Sequence, residues 1–432
     1  MKRSMAVLAG FAALACFATS VSAAIWYVKP DGTGDVPTIQ AGIDAAADGD
    51  TVLLAPGTYT GPGNRGIMIS YKNVSVISEA GAESTIIDCE GAGWGVSLTW
   101  DVTNATVLSD LTIENGYTTG YGGAIYCGYG ASPRIERNVI RNCSAEAGGG
   151  IWGSQSSNPV VLNNLITGCS ALRGGGVYFS RCWSNLWFAF NTVTGNWATQ
   201  SGGAMFLRNA WPRISNNTIC GNDAPSGAGI YLMEADSHPV IENTIIAFNT
   251  QGEGVGCDPE AFPLFACCDI YGNAGGDAFC GEDGGDNFSA DPQFCESTGN
   301  GGYWLWSTSP CAVDNSPCGM FVGAWPVGCD ATGIKSTAVP RREMELMPNY
   351  PNPFNPNTTI AYVVPAGVAR VEIFDVRGAT VAVLRNGYHE PGEYRVTWDG
   401  RDRDGTPVAG GVYFCRLTAA GQSQSRKVIL VK

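Results

Sequence analysis

Glu234, Asp236 and His238 fall within five residues of one another, and an imidazole beside two carboxylates supplies what a general base or a metal ligand set requires. A solvated polar turn uses the same residue types and is the commoner reason for such a cluster. A second concentration of reactive side chains is Cys257, Cys267, Cys268, Cys280, Cys295, Cys311, Cys318 and Cys329, half of the chain's 16 cysteines. No CxxC pair or histidine-rich tract accompanies them, and His238 and His389 are the chain's two histidines, so disulfides are expected there rather than a metal. Their connectivity stays open, because eight cysteines allow on the order of a hundred pairings. A third candidate is Asp399, Asp402 and Asp404 ahead of Gly405, which resembles a calcium loop in spacing. It lacks the bidentate glutamate of such a loop, and an acidic hairpin turn explains it without a metal. No cofactor is expected.

What positions these residues is an internal repeat. GGAIY at Gly122–Tyr126 returns as GGGIW at Gly148–Trp152, GGGVY at Gly174–Tyr178, GGAMF at Gly202–Phe206 and GAGIY at Gly227–Tyr231. A second column, Asn138, Asn164, Asn191, Asn217 and Asn243, runs in phase with it at steps of 26 or 27 residues. Leucine-rich repeats would need leucines that are missing, and helical repeats are opposed by the glycines, asparagines and β-branched residues. The period therefore predicts a coil of short parallel strands stacked at about 4.8 Å. Asparagine suits its sharp turns by tolerating the left-handed conformation and by pairing amide to amide between coils. Thr51–Ala55, Val74–Ile77, Thr85–Ile87 and Val107–Ile113 extend the strands upstream. An open solenoid end must be covered. Pro37, Ile39, Ile43 and Ala46 predict a short cap helix within an N-terminal cap over 24–50, and the cysteine-rich stretch over 251–330 is expected to close the other end.

Alternation along each strand turns Ile125 inward and Tyr126 outward. Trp152, Tyr178, Phe206 and Tyr231 share that outward column, so an external ladder of five aromatics is expected. It would serve either its own stacking or the binding of sugar rings.

Lys2 and Arg3, the apolar run Met5–Phe17 and Val21-Ser22-Ala23 read as an export signal over 1–23, too short to span a bilayer. Lipidation at Cys16 is the alternative, although Ala13-Leu14-Ala15 fits a lipobox poorly. Loss of Lys2 and Arg3 would take the formal charge from −14 to −16, which argues against nucleic acid or an anionic membrane as partner. No later stretch reaches the length of a transmembrane helix. The expected location is secreted or on a bacterial cell surface, where cysteines oxidise.

Thr38–Gly61 (TIQAGIDAAADGDTVLLAPGTYTG) resembles the opening coil of pectin-lyase-like proteins. The GGA[I/V] repeats with Phe188–Asn191 are similar to those of polymorphic outer-membrane proteins. The resemblance covers roughly 25–330 and implies an all-β fold, a right-handed parallel β-helix over 24–330. Beyond a linker at 331–345, Asn349–Tyr362 and Trp398–Phe414 resemble an Ig-like C-terminal domain, related to the flagellar hook-cap domain, that acts as a sorting signal in type IX-like secretion. That implies a small antiparallel β-sandwich over 346–432 whose partner is the secretion machinery, with a generic Ig-like binding module as the alternative.

Enzymes on this helix need visible chemistry. The N-T-D, D-D, G-H-G and R-I-K motifs of polygalacturonases do not occur, and no coil pair sets acids beside an arginine as a pectate lyase would. Gly57-Thr58-Tyr59-Thr60 lacks the glutamate of the methylesterase element. The expected function is glycan binding or attachment at the cell surface, with a polysaccharide or surface glycan as partner. A polysaccharide lyase or glycosidase whose site residues lie far apart in sequence, and a purely structural surface solenoid, are the alternatives.

Overall fold

The computed structural model describes residues 23–183, 185–295, 303–329, 344–346, 349, 352–364, 367–375, 378, 380–389, 392–403, 405–419 and 422–431. The export signal thus lies almost wholly outside the described residues, as do Asp404 and most of the linker. The chain divides into two compact units, Met1–Thr332 and Gly333–Lys432.

The first unit is a parallel β-solenoid. Successive coils contribute strands to three sheets, of eleven, nine and eight strands. In register, Ile125 pairs with Val96 and Ile151, and Ile140 pairs with Ile113 and Ile166, so like residues stack on like. Inward side chains such as Leu98, Ile135, Ile151, Phe188 and Ile246 form a continuous buried core. A helix, Ile39–Ala45, covers the first coils. Thr38 caps it by accepting the Ala41 N–H at 3.2 Å, and Ile39 and Ile43 are buried beneath it. The hydroxyl of buried Tyr59 lies 2.8 Å from the Val28 carbonyl and 2.9 Å from that of Ala55.

Two features explain the repeat. The first glycine of the signature is left-handed, as at Gly148 (φ 65°). The second, Gly149, leaves no space for a side chain, since a Cβ there would lie 2.4 Å from the Ser170 carbonyl oxygen and 2.5 Å from that of Gly175. The asparagines make a ladder inside the turn. Asn164 Oδ1 accepts from the Asn138 backbone N–H (2.9 Å) and side-chain amide (3.1 Å), and Asn191 and Asn217 repeat the pattern.

Two expectations about this column are corrected. The left-handed residue is the one before each rung (Arg137, Asn163, Phe190, Asn216), so the rung asparagine contributes its amide and not its backbone tolerance. Asn243 is itself such a left-handed residue, and Thr244 takes the rung, its hydroxyl accepting the Asn217 N–H at 3.3 Å. A second ladder, Asn196, Asn222, Asn249 and Asn273, runs through another turn. Thiols occupy its earlier rungs, with Cys169 N donating to Asn196 Oδ1 at 2.9 Å and Gly116 N to Cys143 Sγ at 3.2 Å.

The cysteine-rich stretch does not serve only as an end lid. Coils continue through Val255–Cys257, Leu264–Ala266 and Asp269–Tyr271 to Glu282–Asp283. Residues 303–329 then lie back along the outer face of the nine-stranded sheet as a strap. Trp325 Nε1 donates to Thr192 Oγ1 (2.7 Å), Ala324 N to Thr218 Oγ1 (3.0 Å) and Gly323 N to the Asn243 carbonyl (2.8 Å). Leu305, Cys311 and Val322 pack on Ile245 and Ala247. The sheet's outward residues there are apolar or small, so a covering segment was needed.

The second unit has an antiparallel three-stranded sheet (Glu345–Leu346, Thr358–Val364, Gly392–Trp398) and a four-stranded one built from Gly367–Phe374, Thr380–His389, Gly411–Ala419 and Gln422–Leu430. Phe354, Tyr362, Trp398 and Leu430 belong to its separate core. Its acidic turn is a hydrogen-bonded one. Asp402 Oδ1 accepts the Thr406 N–H at 2.8 Å, and Asp399 Oδ1 accepts that of Arg401 at 3.2 Å. No helix among the described residues is long and apolar enough to cross a membrane.

Candidate functional site

The five aromatics expected as an external ladder do share one register column, and they stack in two groups, Tyr126 with Trp152 and Tyr178 with Phe206 and Tyr231. Ring centroids are 4.6 Å apart for Tyr126–Trp152, 4.9 Å for Tyr178–Phe206 and 5.5 Å for Phe206–Tyr231, with planes within 17° of parallel. They are not exposed, however. Trp152 is 5% accessible, Tyr178 8% and Phe206 0%, and Tyr126 and Tyr231 are half-buried at the ends. Each coil's chain before the glycines closes over the ladder. Tyr121 stacks on Trp152 at 5.0 Å, Ala147 packs against the cluster, and the Arg173 guanidinium sits 5.8 Å above the Phe206 ring. Ser170–Arg173, Trp197–Ser201, Asp223–Ala224 and Thr250–Gln251 form a four-stranded ribbon along this corner. The rings face away from the solenoid interior into a second, smaller core. Their accessibility as an open platform is therefore corrected.

Glu234, Asp236 and His238 share one turn but do not converge. Glu234 is held by Arg208 Nε and Asn209 Nδ2, both at 2.6 Å. The Asp236 side chain is exposed, and its backbone carbonyl accepts the Trp211 indole N–H at 2.6 Å. His238 Nδ1 lies 3.2 Å from the Phe262 carbonyl. Other carboxylates on the solenoid are similarly engaged. Arg137 joins Asp110 (2.8 Å) and Glu136 (2.7 Å), Arg141 Nε meets Glu114 (2.6 Å), and Arg213 Nε meets Glu242 (2.8 Å). A carboxyl with its proton affinity raised toward neutrality is the mark of a general acid. Asp269 has that property, its pKa pushed up to about 6 mainly by burial, but it lies beneath the strap. There it accepts from Ala290 N–H at 3.0 Å and from the Cys311 thiol at 3.1 Å.

Six of the eight clustered cysteines are bridged, as Cys257–Cys280, Cys267–Cys318 and Cys295–Cys329, with Cα separations of 5.9 to 6.4 Å. Cys268 and Cys311 are not. The first points into the solenoid core and the second toward Asp269, so the expectation of a fully paired set is corrected.

A surface that the sequence reading passed over lies on the turn between the eight-stranded and eleven-stranded sheets. Tyr71, Trp100, Tyr129, Trp183, Trp211, His238 and Phe262 all occupy this turn in their coils, and all are exposed. They divide into two groups. Trp100 lies flat against Tyr129 at 4.2 Å and parallel to Tyr71 at 6.3 Å. Trp183–Trp211 and Trp211–His238 are instead edge-on, at 5.7 and 5.8 Å with interplanar angles of 79° and 74°, and His238–Phe262 is tilted at 6.5 Å. The signal available in the sequence was a tryptophan three residues beyond Ser180 and again three beyond Arg208, the ends of strands in register.

The family profile described as periplasmic copper-binding protein (NosD) matches residues 43–259, and that of the FlgD Ig-like domain matches 357–423. No curated protein sequence matches the chain. Among solved structures, dimeric latent PorU from Porphyromonas gingivalis is 21% identical over 20% of this chain and 9% of that one, with a TM-score of 0.18. PorZ, a surface component of the type-IX secretion system of the same organism, is 25% identical over 22% and 13%, at 0.17. The A-module of the Azotobacter vinelandii mannuronan C-5 epimerase AlgE6 is 17% identical over 59% and 95%, at 0.29. The chain thus spans about a tenth of the length of the first two.

Proposed function

Because this chain belongs, through its solenoid, to the family of periplasmic copper-binding proteins (NosD), we propose that it is an exported solenoid that binds glycans without transforming them, and that its Ig-like unit directs its final delivery or anchoring. The observation that carries the binding half is the pairing of five solenoid glutamates together with the burial of Asp269. Glu90, Glu114, Glu136, Glu234 and Glu242 each face an arginine, and among the described residues the carboxyl raised toward neutrality, Asp269, is covered. Acid–base cleavage of a glycosidic bond requires two carboxyl groups free to face it. The delivery half rests on the second unit's own core and its match to a hook-cap-type domain.

Copper does not fit the described residues. Copper sites use thiolates, thioethers and neutral imidazoles that converge. No three His, Cys, Asp or Glu side chains do so among the described residues. Cys143 is buried, and its pKa is held well above the ordinary range by its hydrogen bond with the Cys169 thiol and then by burial, so it opposes the deprotonation a metal needs. His389 is tied to the Tyr362 hydroxyl at 2.8 Å and the Gly387 carbonyl at 2.9 Å within the other unit. No step is assigned to copper.

The test has two arms. Purified protein exposed to a panel of polysaccharides is expected to bind at least one and to release no shortened product; cleavage would overturn the binding reading. A chain stopped near Gly333 is expected to fold and to remain in the periplasm. Its normal arrival at the surface would overturn the delivery role.

A further inference from the structure

We propose that the turn edge carrying Trp183, Trp211, His238 and Phe262 is a binding site for a neutral, extended polysaccharide. The proposal rests on the glycan-binding reading above and gives it a location and a ligand class. Four consecutive coils each place one ring on this edge, and neighbouring centroids are 5.7, 5.8 and 6.5 Å apart. A row with that repeat matches a partner that itself repeats at about the interval of one sugar residue along a stretched chain.

What the rings offer is face, not hydrogen bonds. The Trp183 indole N–H already donates to Ser156 Oγ at 3.3 Å and that of Trp211 to the Asp236 carbonyl at 2.6 Å. Because the planes are splayed, no two of these rings cover one another face to face, and Trp183 stays 40% exposed, Trp211 42% and Phe262 60%. In the flat Trp100–Tyr129 pair of the same edge, the facing surfaces are consumed by each other. Free aromatic faces take up the C–H faces of pyranose rings by excluding water, with no charge required.

Charge selects against an acidic chain. Glu234 and Asp236 share the His238 turn, and Asp258 and Glu260 share the Phe262 turn. Arg208 and Arg213 beside Trp211 are paired with Glu234 and Glu242, and Arg181 on the Trp183 turn is a third cation, so five acids stand against three cations along this edge. Asp258 accepts the Tyr231 hydroxyl (2.8 Å) and the Glu234 N–H (3.0 Å) beside the edge. A polyuronate or sulfated glycan would meet this field unfavourably. A neutral polymer would not. Its hydroxyls would also find polar partners alongside the rings in Asn158, Arg181 and Asn209.

The experiment is affinity electrophoresis of the full chain against soluble xylan and laminarin as neutral probes and polygalacturonate as the acidic one. Wild type is expected to be retarded by at least one neutral polymer and not by polygalacturonate. Trp183→Ala combined with Trp211→Ala is expected to weaken that binding about thirtyfold. Trp183→Phe with Trp211→Phe keeps two ring faces and is expected to retain most of it, which separates recognition from folding should the alanine variant be unstable. Undiminished binding by a folded alanine variant overturns this site while the glycan-binding reading stands, as does loss of binding in the phenylalanine variant. Retardation by polygalacturonate alone overturns the ligand class. Retardation by none of the three overturns this inference, and failure across the wider panel overturns the glycan reading with it.

Discussion

Asp269→Asn should tighten the strap at neutral pH and do nothing in acid. Burial beneath residues 303–329 raises the Asp269 carboxyl from its ordinary value of 3.8 to about 6. The folded protein therefore holds this proton more tightly than the unfolded chain. Its contribution is most favourable below about pH 3.8 and is lost as pH rises through 6. That difference corresponds to about 3 kcal/mol, or roughly a hundredfold in the population of the opened strap. Asparagine removes the charge while its carbonyl still accepts the Ala290 N–H. Cys311, which donates to Asp269 and is buried, reports the opening directly. Its alkylation rate, read by peptide mass spectrometry in native protein, should fall up to about a hundredfold at pH 8 in the variant relative to wild type. The two proteins should converge toward pH 4. A ratio independent of pH, or faster alkylation of the variant at pH 8, would refute the reasoning.

Trp152→Ala should cost about 3–5 kcal/mol, because the ring is buried between Tyr126 and Tyr121; unchanged denaturation would restore the open-platform reading. Asn164→Ala should cost roughly 2–4 kcal/mol, since it orphans the Asn138 amide groups and the Ile135 carbonyl, and a loss no larger than at an exposed site would contradict the ladder's role. Peptide mapping of unreduced protein should find Cys257–Cys280, Cys267–Cys318 and Cys295–Cys329 linked and Cys268 and Cys311 as thiols. His389, its pKa lowered chiefly by burial, should make the Ig-like unit lose stability as pH falls below about 6.5. Hydrogen exchange in 358–364 should rise there in wild type and less so in His389→Gln.

The solenoid was legible because its period is written twice, in glycines that admit no Cβ and in asparagines that bond coil to coil. What a period cannot convey is what lies outside each sheet. Alternation turned Trp152 and Tyr178 outward correctly, but outward was taken as solvent, and the chain around Tyr121 and Arg173 fills that space. The same gap hid the strap, whose partners Thr192 and Thr218 lie 133 and 106 residues from the groups they bond and whose partner Ile245 lies at least 60 residues from those packed on it. The exposed edge was missed for a different reason. Its rings shift from one residue past the strand at Trp100 to three past it at Trp183, so they form no fixed column in sequence although one turn gathers them. Thr244 standing in for an asparagine shows the limit of residue identity, since only an acceptor at that point was required.

The asparagine ladder also makes the coils interchangeable parts. Each rung asks of its successor only a carbonyl oxygen at the same height, and Asn138, Asn164 and Asn191 are alike in this. Excising 139–164 would bring Leu165–Thr167 into the place of Val139–Arg141 and hand Asn138 on to Asn191, with every sheet still in register. The coil lost is the one whose edge turn carries Gln155 to Asn158 in place of a ring. A lineage of such chains can therefore lengthen or shorten by whole coils, and a single deletion would splice the Tyr71–Tyr129 run directly onto the Trp183–Phe262 run.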